Sequence, residues 1–394
     1  MGLRLGFLTS HPIQYQVPIF RRLAQTGVEF TALFAMLPDE EQQGDGFGVG
    51  FHWDLPLLEG YDYEVLANVS PRPAVTAFRG CDTPDVARVI RRLKLDALVV
   101  NGWVVKSCLQ GLQACRRLNI PCLVRGEANL LRPRPLWKGL GHRLLLRQYA
   151  ACLYIGAANR AFYVGHGIPA SRLFPAYYCV DNDRFGAQVA ESAGRVSELR
   201  GRFKVPPGVT CFLFSGKLVP KKHPVELLRA FRRLTDKVTG VHLLMVGDGE
   251  LRRACESYVR DHDLPVSFTG FVNQTEMAEA YMAGDCLVLP SDCGETWGLV
   301  VNEAMACGRP AIVSDQVGCA QDLVVEHKTG RTFRFGDWNQ LVDRMLEAAG
   351  AAPSLLSMGT AAKAHVAAYS PAAACEGIVE AVHAIGGSRR GALT

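Results

Sequence analysis

The sequence predicts an α/β protein of two doubly wound, Rossmann-like domains facing each other across a cleft. Three observations carry that expectation. The chain has 394 residues, 48% of them hydrophobic and 21% charged, which is too long for one ordinary core and suits two. Short apolar runs alternate with amphipathic helical stretches along the chain, the signature of parallel sheets covered on both faces. The alternation pauses near 172–185 and then starts again.

In the first half, LRLGFLTS, FTALFAM, DALVVNGW, PCLVRGE and CLYIG read as buried strands. VPIFRRLAQTG and DVARVIRRL read as helices between them. ESAGRVSELRGRFKVPPG (191–208) reads as a linker with a lead-in helix. In the second half TCFLFSG, VHLLMVGDG, VSFTGF, CLVLPS, PAIVSD and RTFRF are strands. PVELLRAFRRLT, ELRRACESYVRDH, TEMAEAYMA and WGLVVNEAMA are the helices between them. The expected division is a first domain at 1–186 and a second at 187–365, with a helix within 366–394 returning to the first.

Composition narrows the function. A net charge of +5 is mild and does not suggest a nucleic-acid binder. No apolar run approaches the ~18 residues that span a bilayer, and MGLRLGFLTSHP reads as a first strand rather than a leader. The thirteen cysteines are scattered among apolar neighbours with no C-x-x-C pair, so reduced thiols in a cytoplasmic protein are expected, and no metal site. The stretch RPRPLWKGLGHRLLLR (132–147) holds Arg132, Arg134, Lys138, Arg143 and Arg147 with no acid. It reads as a solvated basic surface, or as a patch for an anionic acceptor or the inner membrane surface.

In open parallel sheets, ligands sit beyond the carboxyl ends of the strands, in the strand-to-helix loops. FSGKLVPKKHP (214–224) is such a loop. Gly216 lets a ligand approach the backbone, and Lys217 and Lys222 supply two ammonium groups suited to a diphosphate. LLMVGDGE ends a strand at Gly247, and VSFTGFV ends one at Gly270, followed by Phe271 and Val272; each signal alone is weak. GETWGLVVNE (294–303) sets Glu295 in a loop and Glu303 on a helix starting near Gly298 or Leu299. The helix start favours phosphate or sugar oxygens, and Glu303 lies ~7 Å along it at ~1.5 Å per residue. Glu303 stands among Val300, Val301, Ala304 and Met305, where a carboxylate needs a reason to exist.

Together GKLVPKK, GDGE, TGFV and ETWGLVVNEAMACGRPAIVSD resemble the retaining GT-B glycosyltransferases of family 4 (group 1), over the whole second half and back through NRAFYVGHGIPASRLFPAYYCVDNDRF. The resemblance implies transfer of a sugar from a nucleotide-diphosphate donor such as a UDP- or GDP-sugar, serving glycan or glycoside biosynthesis, with no further cofactor and no metal. It implies that Glu295 grips donor-sugar hydroxyls and Glu303 the ribose. Main-chain N–H groups at Thr296, Trp297, Gly298 and Leu299 would contact sugar and diphosphate, Lys217 and Lys222 the diphosphate, and Phe271 and Val272 the base. Lysine at the first basic position departs from the family's usual arginine and loses its bidentate fork.

The first half departs further. Many family members carry a glycine-rich loop after the first strand; here SHPIQYQVP offers His11, Gln14 and Tyr15. That loop closes over the donor, shapes an acceptor pocket, or is structural. Arg125 and Glu127 line the site or form a structural ion pair, and Asn101 with Trp103 lies toward an acceptor, which could be a glycan, a lipid-linked sugar or a small glycoside. Rival functions are a glycoside hydrolase using the two glutamates, a sugar-nucleotide epimerase, and a non-catalytic nucleotide-sugar binding module.

Overall fold

The computed structural model describes residues 2–44, 46, 48, 50–350 and 352–390. It contains two compact units. The first comprises Met1–Gln43, Leu55–Tyr178 and Ser370–Thr394, the second Gly44–Asp54 and Cys179–Tyr369. The main division thus falls at Tyr178/Cys179, and a short early segment groups with the second unit.

The first unit is built on a seven-stranded sheet of β1 (Arg4–Thr9), β2 (Glu29–Phe34), β3 (Asp62–Val65), β4 (Ala97–Val100), β5 (Cys122–Arg125), β6 (Ala151–Tyr154) and β7 (Leu173–Pro175). All neighbours pair in parallel, in the order β3-β2-β1-β4-β5-β6-β7. Strands β1, β4 and β5 are buried almost end to end, which is why they read as continuous apolar runs. Strands β3 and β7 carry no apolar run of the kind that marks the other strands of this sheet. DYEV is polar and mostly exposed at one edge, and LFP is a three-residue edge strand ending in proline. The helix Val17–Ala24 buries Val17, Ile19, Phe20 and Leu23, and Phe20 packs on Phe7 and Phe30 at ring distances of 5.0 and 5.4 Å. The last helix, Pro371–Arg390, packs on that helix and on β6 and β7. At Gly377 a Cβ would stand 1.6 Å from the Pro175 carbonyl oxygen, so glycine is what lets helix and strand meet.

The second unit has six parallel strands: β8 (Thr210–Ser215), β9 (Val241–Val246), β10 (Val266–Gly270), β11 (Cys286–Leu289), β12 (Ala311–Ser314) and β13 (Gly330–Phe333). Their order is β10-β9-β8-β11-β12-β13. All six match the sequence expectation, as does the helix Pro224–Thr235, which buries Leu227, Leu228, Phe231 and Leu234 against the sheet. Two helices not foreseen, Trp338–Ala349 and Ala352–Val366, complete the layer, the first packing on Pro224–Thr235 and the second on Leu299–Ala306. All thirteen cysteines are free, twelve of them buried. Among the described residues no helix is long and apolar enough to cross a membrane.

Strand order decides where a site can form. In the second sheet the winding reverses between β8 and β11, so the loops after these two strands diverge and leave a crevice at their carboxyl ends. Gly216–His223 follows β8, and Pro290–Gly298 follows β11.

Candidate functional site

The carboxyl ends of β8, β9 and β10 are drawn together by glycine. Gly216, Gly247 and Gly270 have φ of +130°, +126° and +73°, backbone that other residues adopt only with strain. The Gly216 N–H donates to the Val246 carbonyl at 3.0 Å and the Gly247 N–H to the Gly270 carbonyl at 2.9 Å. A Cβ on Gly247 would stand 2.1 Å from the Gly216 carbonyl oxygen. Three separately weak motifs are therefore one continuous turn cluster.

From Gly216 the chain passes Lys217 and makes a short 3-10 turn, Pro220–Lys222. His223, at φ +50°, reverses it into the next helix. The turn aims Lys222 inward, where it is 7% exposed, with its Nζ 2.7 Å from Glu295 Oε2. Distance rather than angle defines this contact, since Oε2 has no well-directed hydrogen bond. Lys221, which the sequence reading did not single out, is exposed, stands 3.8 Å from the same oxygen and donates to the Gly294 carbonyl at 3.4 Å. The doubled lysine was its only signal. Burial pushes the Glu295 carboxyl upward, but the charges of Lys222 and Lys221 outweigh it and hold the group below the usual carboxylate value. Lys217 is half-buried beside Gly216.

The loop after β11 is pinned at several points. Asp292 Oδ1 accepts from the Gly294 N–H at 2.6 Å, and the Glu295 N–H donates to the Asp292 carbonyl at 3.0 Å. Gly318 packs against Thr296 so closely that a Cβ there would stand 1.8 Å from the Thr296 carbonyl oxygen. Trp297 is 3% exposed, and its indole N–H donates to Asn302 Oδ1 at 2.8 Å. Its side chain therefore anchors the loop. Gly298 caps the helix Leu299–Ala306 in the left-handed region at φ +100°. The Val301 N–H donates to the Gly298 carbonyl at 2.9 Å, and this cap follows three residues after Glu295.

Glu303 is 1% exposed. Its Oε2 accepts from the Tyr281 hydroxyl at 2.7 Å, and that hydroxyl also lies 3.2 Å from Ser215 Oγ. Tyr281 stood unnoticed in the apolar stretch TEMAEAYMA; a lone phenol among alanines and methionines was the available signal. Phe271 and Val272 are half-buried just past Gly270.

In the first unit the candidates are spread along the carboxyl ends of several strands. His11, half-buried after β1, lies 2.9 Å from Ser10 Oγ through Nδ1; burial lowers its pKa to about 4. Gln14 and Tyr15 are half-buried in the following turn. Asn101 donates to Thr9 Oγ1 at 3.4 Å at the end of β4. Arg125 is 2% exposed. It donates to the Ala176 and Tyr177 carbonyls at 3.1 and 3.2 Å, and its guanidinium lies 4.5 Å from the Tyr178 ring centre. Glu127 is exposed and accepts from the Tyr178 hydroxyl. Both side chains thus hold the Ala176–Tyr178 main chain and ring. Among the described residues no three His, Cys, Asp or Glu side chains cluster as metal ligands.

Comparison with known proteins gives the family and the fold. Residues 196–365 match the family model for glycosyl transferases group 1. The chain is 30% identical over 341 residues to a GDP-mannose-dependent alpha-mannosyltransferase of Mycobacterium tuberculosis, covering 82% of this chain and 79% of that one. It is 30% identical over 169 residues to the sulfoquinovosyl transferase SQD2 of Arabidopsis thaliana, spanning only 31% of that protein's length. Among solved structures, Anabaena Alr3699/HepE in complex with UDP superposes with a TM-score of 0.74 at 16% identity, over 97% of this chain and 100% of that one, which speaks for the GT-B fold alone. With most of both chains matched in the mannosyltransferase comparison, this protein belongs to the group 1 glycosyltransferase family.

Proposed function

We propose that the protein moves a sugar from a nucleoside-diphosphate donor to an acceptor hydroxyl with retention of configuration and without a metal ion. The observation that carries this reading is the buried Lys222–Glu295 ion pair at the crevice between β8 and β11. A buried ammonium needs an anionic partner. A donor diphosphate supplies one, with Lys217 beside it and the start of the helix Leu299–Ala306 opposite. GDP-mannose in the name of the mannosyltransferase relative supports this donor class.

In the proposed step the bond from the anomeric carbon to the diphosphate oxygen breaks. The acceptor oxygen bonds that carbon on the same face, and the acceptor proton passes to a diphosphate oxygen. Lys217, Lys222 and the helix N–H groups stabilise the charge gathering on the leaving phosphate. Glu295 holds sugar hydroxyls, and Glu303, fixed by Tyr281, holds the ribose. Thermal shift against UDP- and GDP-sugars identifies the donor, and the product's anomeric configuration by NMR tests retention. An inverted product, or activity lost in EDTA and restored by magnesium, overturns the corresponding part.

The same reading extends to a lipid-linked acceptor at an anionic membrane surface. On the helix Leu136–Leu146, Leu136, Trp137, Leu140 and Leu144 are 94%, 70%, 60% and 56% exposed. These positions fall on one side of the helix, with Arg143 at its edge, so apolar and basic positions do not separate cleanly; the five basic residues of 132–147, with no acid among them, supply the attraction to an anionic surface. Sedimentation with phosphatidylglycerol vesicles, lost in Trp137→Glu/Leu140→Glu and absent with phosphatidylcholine alone, is the expected result. Equal sedimentation of wild type and variant overturns it.

A further inference from the structure

The segment Gly44–Asp54 lies between parts of the first unit in sequence but packs with the second. Its sequence, GDGFGVGFHWD, alternates glycine with larger residues and ends in two aromatic rings. Those rings meet Phe271. Phe51 and Phe271 lie 4.1 Å apart between ring centres at 31°, Phe51 and Trp53 lie 4.8 Å apart edge-on, and Trp53 and Phe271 are 6.3 Å apart.

Polar bonds fix the register. Asn273 Nδ2 donates to the His52 carbonyl at 2.7 Å, and the Thr275 N–H donates to the Asp54 carboxylate at 3.1 Å. The Thr275 hydroxyl donates to the same carboxylate. Upstream, Gly46, at φ +80°, lies against Lys217; a Cβ there would stand 3.0 Å from Nζ. The segment therefore touches the second unit at two places, the lysine beside Gly216 and the ring after Gly270. In the function proposed above, these are the diphosphate end and the base end of the donor.

We propose that Phe51 and Trp53 are donor-binding residues. With Phe271 they form an aromatic wall against which the base of the nucleoside diphosphate stacks. All three rings are half-buried, so each is held by packing while keeping surface for a ligand. A planar base gains from such a wall whatever its hydrogen-bonding edge, because every base has a π-face. The Asp54–Thr275 and Asn273–His52 bonds hold the wall in place, and glycine at 46 lets the segment pass Lys217 without crowding its ammonium. Phe51 and Trp53 thus supply part of the enclosure around the donor base.

The proposal rests on the nucleoside-diphosphate reading, and titration calorimetry with UDP, GDP and inorganic pyrophosphate separates the two. Wild type is expected to bind at least one nucleotide; if it binds neither, the donor reading falls and this proposal with it. If it binds, Phe51→Ala and Trp53→Ala should weaken nucleotide binding roughly tenfold or more, the scale of one lost base–aromatic stack. Pyrophosphate, which has no base, should bind all three proteins equally. Phe51→Leu, keeping the packing and losing the π-face, should behave like Phe51→Ala at an unchanged melting temperature. Trp53→Phe should reduce the nucleotide-induced change in tryptophan emission, leaving any part that arises from Trp297. Unchanged or tighter nucleotide binding in the alanine variants, or an equal loss for pyrophosphate, overturns the aromatic wall and leaves the donor reading intact.

Discussion

Lys222 Nζ lies 2.7 Å from Glu295 Oε2, and both side chains are largely removed from water. Each is the other's charge partner in the free protein, and each has a separate task once a donor displaces that contact. Replacing Lys222 by alanine removes one positively charged group from the leaving phosphate. Turnover should fall about 10²-fold or more, the scale seen on removing one charge-stabilising donor. Steady-state kinetics at saturating donor sugar measure it, and full activity would remove Lys222 from the diphosphate site.

The same pair predicts an acid-side effect. The Glu295 carboxyl is held below its ordinary value of 4.5 against the upward push of burial, by Lys222 and Lys221. A depressed carboxyl stabilises the fold above its unfolded pKa, and that contribution is lost as pH falls through the folded value. Wild type should therefore lose stability below about pH 4.5 more steeply than Glu295→Gln. Urea melts of both proteins between pH 3 and 7 test this; parallel curves would contradict it.

His11 takes up its proton at lower pH than an ordinary surface histidine. Burial lowers its pKa from 6.5 to about 4, so the folded protein keeps it neutral while the unfolded chain takes up a proton near 6.5. Its contribution is present above pH 6.5 and fades as pH falls toward 4. NMR of the His11 ring should show titration near 4. A midpoint at 6 to 7 would mean the ring is solvated.

Glu303 separates binding from chemistry. Glu303→Ala should weaken binding of bare UDP or GDP and also cost about 1 kcal/mol, because the buried Tyr281 hydroxyl keeps only its longer contact to Ser215 Oγ. Tyr281→Phe should retain most of the stability yet bind nucleotide more weakly, since the carboxylate loses its orienting donor. Nucleotide affinity unchanged in both variants would remove Glu303 from the ribose.

Gly247→Ala tests the turn cluster. The added Cβ meets the Gly216 carbonyl oxygen at 2.1 Å in a backbone with φ +126°. A loss of at least about 1–3 kcal/mol is expected from strain alone, with donor binding impaired as Gly216 and Gly270 are pushed apart. A melting temperature equal to wild type would show that the turn relaxes freely.

Much of this was legible in one dimension. Strands β8, β9, β11 and β12 of the second sheet are short, buried, mostly apolar runs, and the helix Pro224–Thr235 shows its buried stripe directly. Gly216, Gly247, Gly270 and Gly298 announce sharp turns because glycine pays for left-handed backbone least. Polarity hid β3, and three-residue length with a terminal proline hid β7; as edge strands, neither needs apolar alternation.

The sequence by itself determined the α/β rhythm, the loops that carry chemistry and the residue types placed in them, since these depend on local periodicity and backbone preference. Tertiary structure decided the partnerships. The strand order sets β8 beside β11, and only that neighbourhood brings Lys222 to Glu295. The packing of Met277–Ala283 on Leu299–Ala306 sets Tyr281 on Glu303. The docking of residues 44–54 on the second unit sets Phe51 against Phe271. Each contact joins residues distant in the chain, and no local signal encodes it, because the energy that selects it comes from burying surfaces that adjoin one another only after the sheets have formed.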